Sequence, residues 1–213
     1  MGPINSFAQD FQALKSQILD LAASYSGKPD PDGSKAKSFE PLIHNLLALS
    51  SAQTMQEKAV VAVGAWKQVW GPYSYNNSGA APSGLEPENI YQVISASGYY
   101  TNVGVYDFLG LHLVGLLKGK YTVSPERIEV QLEQSGILLE KIPKAFTLAD
   151  LPALKEAGKL CLIEFPKFLP PVGIKGTLTE VYDDADLRIT YGGQEGQTGK
   201  TLYIMERVHA LRY

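Results

Sequence analysis

After residue 64 the chain takes on a two-residue period, run after run, in its apolar residues. This two-residue period narrows what the chain can fold into more than any other feature. In RIEVQLE, Ile128, Val130 and Leu132 alternate with Arg127, Glu129, Gln131 and Glu133. Such alternation specifies a strand with one wet face. IYQVISAS (Ile90 to Ser97) is β-branched and aromatic, and GIKGTLTEVY, LRITY and KTLYIMERV read as further strands. Pro125, following Ser124, suits a tight turn before RIEVQLE. Turn signals recur between the strands, so the predicted order is an antiparallel meander. Closing a meander into a barrel removes its exposed edges. LADLPALKEAGK (Leu148 to Lys159) interrupts the run as a short helix or a long loop.

Before residue 64 the period is helical. Phe7, Phe11, Leu14, Ile18, Leu21 and Ala22 step by three or four, which predicts one amphipathic helix. GKPDPDGSK (Gly27 to Lys35) breaks it with prolines and glycines. A second helical pattern runs through Leu42, Leu46, Leu47 and Leu49 and continues past Ser50 and Ser51 towards Val63. The expected organisation is mainly β with N-terminal helices. Residues 1–63 pack as helices on a barrel formed by 64–213, in one structural unit. A chain of 213 residues can bury a sizeable core.

Several function classes lose support. A net charge of −3 gives no nucleic-acid footprint. Cys161 is the single cysteine, which excludes an intrachain disulfide and a cysteine-based zinc site and fits a reducing compartment. It lies in the apolar run KLCLIEF and reads as a buried thiol more readily than a nucleophile. His44, His112 and His209 have no metal-type spacing partners. The start, MGPINSFAQDF, lacks the basic region and apolar run of a secretory signal. The longest apolar run, FLGLHLVGLL (Phe108 to Leu117), reaches about half the roughly 20 residues of a spanning helix and reads as a buried strand with its partner. GQTGKT (Gly196 to Thr201) mimics the end of a phosphate-binding loop. That pattern needs a glycine where Gln194 stands, and a helix where the β-rich TLYIMERV follows.

In VYDDADLRITYGG, Asp183, Asp184 and Asp186 crowd together just before Arg188. A calcium loop wants oxygen ligands at alternating positions, and Arg188 occupies the third. A catalytic carboxylate pair would need a cleft and a raised pKa. The mechanical reading is a hairpin turn, because Asp bonds its own backbone downstream. Leu178 and Tyr182 then share one strand face, Leu187, Ile189 and Tyr191 another, and Arg188 can pair with Asp186 two residues away.

Gly64-Ala65-Trp66 opens the first strand after the helices, and Arg207 lies late in the last long strand. This G-x-W start, strand series and late arginine resemble the lipocalin closure. In such barrels the tryptophan plugs one end and the arginine packs over its ring, a cation–π pair worth about 1 kcal/mol. Trp66 and Trp70 share a face four residues apart, and Tyr203, Met205 and Arg207 alternate on the last strand.

GTLTEVYDDADLRITYGG also resembles the C-terminal signature of the plastid lipid-associated protein (PAP)/fibrillin family. There a G-x-L strand and a tyrosine lead into an acidic turn, then Asp-Leu-Arg-Ile and a glycine. Gly176, Leu178, Tyr182, Asp184, Asp186, Leu187, Arg188, Ile189 and Gly192 fill those positions. GAWKQVWGPYS, NIYQVIS, YTVSPERIEVQLEQ and FLPP are similar to other family segments, and the similarity spans roughly residues 7 to 208. SSAQTMQEKAVVAVGAW lacks the family's Asn-Pro-x-Pro stretch, and GGQEGQTGKTLYI is longer than its usual glycine loop, which suggests a divergent branch; a start without the transit peptide of plant members suggests a cyanobacterial-type member or a processed form.

The resemblance implies a lipocalin-like antiparallel β-barrel, with Asp184, Asp186 and Arg188 as the signature turn. It implies non-enzymatic binding or sequestration of a lipophilic isoprenoid-type molecule such as a carotenoid or quinone, and a structural role at the thylakoid or lipid-globule periphery. The compartment would be the cytoplasm or thylakoid surface of a cyanobacterium, or a plastid for a processed form. Barrel-interior candidates for the ligand are Trp66, Trp70, Leu178, Tyr182, Tyr203 and Met205, with Trp66 and Arg207 closing the barrel. No catalytic residue, metal or cofactor is expected beyond the lipophilic ligand. The partners expected are a hydrophobic small molecule and a peripheral membrane or globule surface, with no nucleic acid. Two alternatives stand beside this. One is a chromophore-lyase-like enzyme using Asp183, Asp184, Asp186 and Arg188. The other is an adaptor for a prenyl-lipid biosynthetic enzyme, docking through Phe7, Phe11 and Ile18.

Overall fold

A computed structural model describes residues 4–26, 28, 30–71, 87–108, 111–139, 145–146, 150, 153, 161–164, 173–195 and 199–212. Three helices come first: α1 (Ile4–Tyr25), α2 (Ser34–Leu49) and α3 (Met55–Val61). The strands follow as β1 (Gly64–Trp70), β2 (Asn89–Ile94), β3 (Tyr99–Phe108), β4 (Leu111–Val123), β5 (Ile128–Leu139), β6 (Ala145–Phe146), β7 (Cys161–Glu164), β8 (Lys175–Asp183), β9 (Leu187–Gln194), β10 (Thr201–Val208) and β11 (Leu211–Arg212).

Hydrogen-bonded neighbours run β4-β3-β2-β1-β10-β9-β8-β5, and β5 pairs back onto β4. Eight antiparallel strands therefore close into a barrel. The far edge of β5 is shared: its first residues, Ile128 to Gln131, pair with β8, and Gly136 to Leu139 pair with β7. A small separate sheet joins β11 to β6. Most of LADLPALKEAGK, the YSY and FLPP segments and the middle of the β9–β10 loop lie outside the described residues.

The helices have local causes. Asp30 accepts backbone hydrogen bonds from Lys35 and Ala36, so a loop carboxylate satisfies the first amides of α2. This helix starts eight residues before Leu42 and carries Pro41 inside it, so burial outweighs the local cost of the proline. α3 is a separate helix with its own capping box, in which Thr54 and Glu57 satisfy each other's backbone amides.

Both long helices lie on the outer face of the barrel. Ile18 and Ala22 of α1 and Phe39, Ile43 and Leu46 of α2 pack with Trp70, Tyr182, Leu187, Ile189, Leu202 and Ile204. Burying side chains the size of Ile18, Phe39 and Leu46 stabilises by about 1.5–3 kcal/mol each. Phe11 is half-buried and meets the Tyr182 ring at 6.2 Å, so the described part of the apolar stripe covers the barrel. The side chain of Phe7 lies outside the described residues. A second outer cluster joins Tyr91, Val103, Val105 and Val114 beneath Leu211 of β11. No helix among the described residues is long and apolar enough to cross a membrane.

Candidate functional site in the barrel interior

One barrel end is closed by α3 and by a cation on an indole. Trp66 faces Arg207 across the β1–β10 ladder, and the Arg207 guanidinium lies 4.1 Å from the Trp66 ring centroid. Trp66 donates through Nε1 to the Ala62 carbonyl at 2.7 Å. Arg207 donates to the carbonyls of Val61, Val63 and Ala185. Gly64 has φ 141°, and a Cβ there would stand 2.3 Å from Arg207 Nη1. The glycine of G-x-W is therefore the space the guanidinium occupies. Ala59 of α3 and Ala62, which caps that helix, complete the base with Ile94, Tyr100, Ile128, Val130 and Leu178.

Of three register shifts in the described barrel, two decide where the predicted ligand residues face. Pairing between β1 and β10 shifts between Gln68 and Trp70, and pairing between β8 and β9 shifts between Glu180 and Tyr182. Each extra residue exchanges the inner and outer faces for the rest of its strand. Trp70 consequently leaves the face of Trp66 and meets Phe39 of α2, ring centroids 4.9 Å apart. Tyr182 likewise leaves the face of Leu178 for the helix-covered side. As barrel-interior ligand contacts, Trp70 and Tyr182 are corrected: they hold the helices.

The same β8 bulge brings two carboxyls onto the inner face. Glu180 and Asp183 both reach Arg188, which pairs across from Asp183 in register. Arg188 is fully buried. It donates from Nε to Glu180 Oε2 at 3.0 Å and from Nη2 to Oε1 at 2.6 Å. Nη1 donates to Gln92 Oε1 at 2.9 Å and approaches the Met205 sulfur at 3.5 Å. Asp183 Oδ1 lies 3.5 Å from Arg188 Nε, close enough for Coulomb attraction but outside hydrogen-bond geometry, and neither Asp183 oxygen has a hydrogen-bond partner. Lys58 of α3 donates to the carbonyls of Glu180 and Val181, which tethers the bulge from outside.

Electrostatics follow from that geometry. Burial, then the charge of Glu180, pushes Asp183 up to about 9 against the pull of Arg188 and Lys58. At neutral pH the layer is thus a bidentate Glu180–Arg188 ion pair beside a protonated Asp183. Burial also raises the Tyr100 and Tyr203 phenols, which stay protonated. Tyr100 donates to Asn102 Oδ1 at 2.7 Å. Nothing in the sequence pattern marks Glu180, Gln92 or Asn102 as partners. The signal would have been the bulge, and a single strand's alternation does not show it.

The acidic cluster divides. Asp184 Oδ1 accepts the backbone amides of Asp186 and Leu187, both at 2.8 Å, which makes it the turn residue of the β8–β9 hairpin. On the outside, Lys15 of α1 bridges Asp184 at 2.7 Å and Asp186 at 3.2 Å. Tyr182 donates its hydroxyl to Asp184. Arg188 turns to Glu180 and Asp183, not to Asp186: the latter sits at the exposed hairpin tip while the bulge supplies inward carboxyls. Asp183, Asp184, Asp186 and Arg188 do not form one site. Among the described residues no group of His, Cys, Asp or Glu could hold a metal.

Above the Arg188 layer the inner wall changes. Arg188, Thr190 and Met205 are sealed, whereas the inward-directed Gln68, Asn102 and Tyr203 are only half-buried, as is Leu132 where it packs on the base cluster. The Tyr203 ring lies against Gly192, where a Cβ would stand 2.7 Å from its Cε2. Gln68 also lines a cleft of about 280 Å³ between Ala23 of α1, Ser26 just after it, the end of β1 and Pro87–Ile90. Its Oε1 is buried without a partner. Of the six ligand candidates, Trp66 and Leu178 belong to the base, Met205 to the Arg188 layer, and Tyr203 to the accessible wall above.

No family model matches the chain, and a search of the curated proteins finds no match. Among solved structures, the chain is similar to a streptavidin-like protein from Bacteroides eggerthii at 12% identity. That match covers 68% of this chain and 80% of the other, with a TM-score of 0.36. A likeness of that order carries no argument, and the eight-stranded closure stands on the strand pairing itself.

Proposed function

We propose that this protein binds a lipophilic molecule of isoprenoid type inside its barrel and holds it, without transforming it, at a thylakoid or lipid-globule surface. One observation carries the reading: the inward-facing Gln68, Asn102 and Tyr203, and Leu132 at the edge of the base, keep accessible surface. An eight-stranded barrel has room for one small ligand. Such sites are mostly apolar with few polar anchors; Leu132 and the Tyr203 ring would supply apolar surface here, and Gln68 and Asn102 the polar anchors. The Gly64–Trp66–Arg207 contact supports a lipocalin-like description. The resemblance of GTLTEVYDDADLRITYGG to the PAP/fibrillin signature supports the isoprenoid class and the photosynthetic setting.

The test is to purify the protein from its native source and identify co-purifying lipids by mass spectrometry. One lipid class recovered in near-stoichiometric amount is the expected result. Protein that is lipid-free in repeated preparations overturns the proposal.

A further inference from the structure

We infer that Glu180, backed by Asp183, makes the barrel select against lipophiles that carry a carboxylate. The inference rests on the carrier reading above and names the charge class that site accepts. Among the described residues, Arg188 and Arg207 are the cations on inward-facing strand positions. Arg207 lies on Trp66 at the closed end and donates to three backbone carbonyls. Arg188 is held by both Glu180 oxygens and by Gln92. Among the described residues an entering carboxylate therefore meets no cation lacking a partner. It would shed its water for a described wall with no free counter-ion, next to a layer whose guanidinium is already neutralised by Glu180. A neutral head group of the same shape loses far less.

Asp183 makes the device redundant. Its Oδ1 stands 3.5 Å from Arg188 Nε, and its oxygens have no other partner. Once Glu180 loses its charge, Asp183 can ionise and take over the guanidinium. Removing both acids leaves a buried guanidinium with no counter-ion, and that charge draws an anion.

The experiment measures quenching of tryptophan fluorescence by retinol, retinoic acid and methyl retinoate at about pH 8, where the acid is ionised. Wild-type protein should bind retinol and the ester alike and the acid at least about tenfold more weakly. Glu180→Gln should keep most of that ratio, and the double variant Glu180→Gln with Asp183→Asn should reduce it below about threefold or invert it. An ester as weak as the acid makes the discrimination steric and overturns the inference without any variant. Equal binding of acid and retinol by wild type, or an unchanged ratio in a folded double variant, overturns it too, and both leave the carrier reading standing. Binding of none of the three probes sinks the carrier reading and this inference with it.

Discussion

Arg188 donates two hydrogen bonds to the carboxylate of Glu180, eight residues earlier on the neighbouring strand, with both side chains fully buried. The pair exists because the β8 bulge at Val181 leaves Glu180 and Asp183 on one face of a strand whose simple alternation would separate them. A salt bridge buried this way adds little net stability over an apolar pair of similar volume. Breaking it from one side is a different matter.

Replacing Arg188 with Leu removes the cation between two buried acids. The expected loss is about 3–5 kcal/mol, the usual cost of stranding a buried charge, softened as the acids take up protons. Urea unfolding at neutral pH measures it. A loss within about 0.5 kcal/mol, the range of an ordinary surface change, would show that the layer does not hold the barrel together.

Asp183 predicts a pH dependence with a definite sign. The folded protein keeps a proton on Asp183 up to about 9, while the unfolded chain releases it at about 4. Folding thus binds a proton throughout that window. Stability falls as pH rises across it and levels off above. Asp183→Asn should flatten the slope and leave the variant more stable than wild type near the upper end. Unfolding free energies across a pH series test this, and parallel curves for the two proteins would refute it.

How much of this was legible beforehand differs by element. Ile128, Val130 and Leu132 announce their strand because one face is wet, and Asp184 announces its turn because the contact is local. Trp66 and Arg207 are readable as a pair because a glycine two residues before the tryptophan has a steric reason. The Arg188 layer was not readable. Its members Gln92, Glu180 and Met205 come together only through register, and register here depends on one inserted residue. The same cause misplaced Trp70 and Tyr182, which keep a two-residue count with Trp66 and Leu178 yet face the helices.

Lys15 fastens α1 to the β8–β9 hairpin. It is buried, 2.7 Å from Asp184 and 3.2 Å from Asp186. Asp184 also accepts from Tyr182 and two backbone amides, and although burial opposes it these bonds hold its pKa below the ordinary value. That stabilisation is present above the unfolded pKa and disappears as pH falls through the folded one. Lys15→Met should cost about 1–3 kcal/mol and raise hydrogen exchange in α1 before the strands. Unchanged protection of α1 would argue against the anchor.

Arg207→Ala should lower the melting temperature more than it lowers affinity for an apolar ligand. The change removes a cation–π contact worth about 1 kcal/mol and three hydrogen bonds to carbonyls, for a loss of about 2–4 kcal/mol. Gly64→Ala should reproduce part of it, since its Cβ would displace the guanidinium. A melting temperature that does not move in either variant would contradict the closing role of the pair.

The two bulges make the sharpest separation between stability and binding. Trp70 and Tyr182 face α1 and α2, whereas Tyr203 belongs to the accessible inner wall. Trp70→Phe and Tyr182→Phe should weaken helix packing by about 1–3 kcal/mol and leave retinol affinity within about twofold. Tyr203→Ala removes inner-wall surface and a phenol kept protonated by burial, and should weaken retinol binding by about tenfold or more. Fluorescence titration of the three variants beside thermal melts distinguishes the faces. If Tyr182→Phe weakens retinol binding and Tyr203→Ala does not, the ligand sits outside the barrel, beneath the helices, and the interior assignment is wrong.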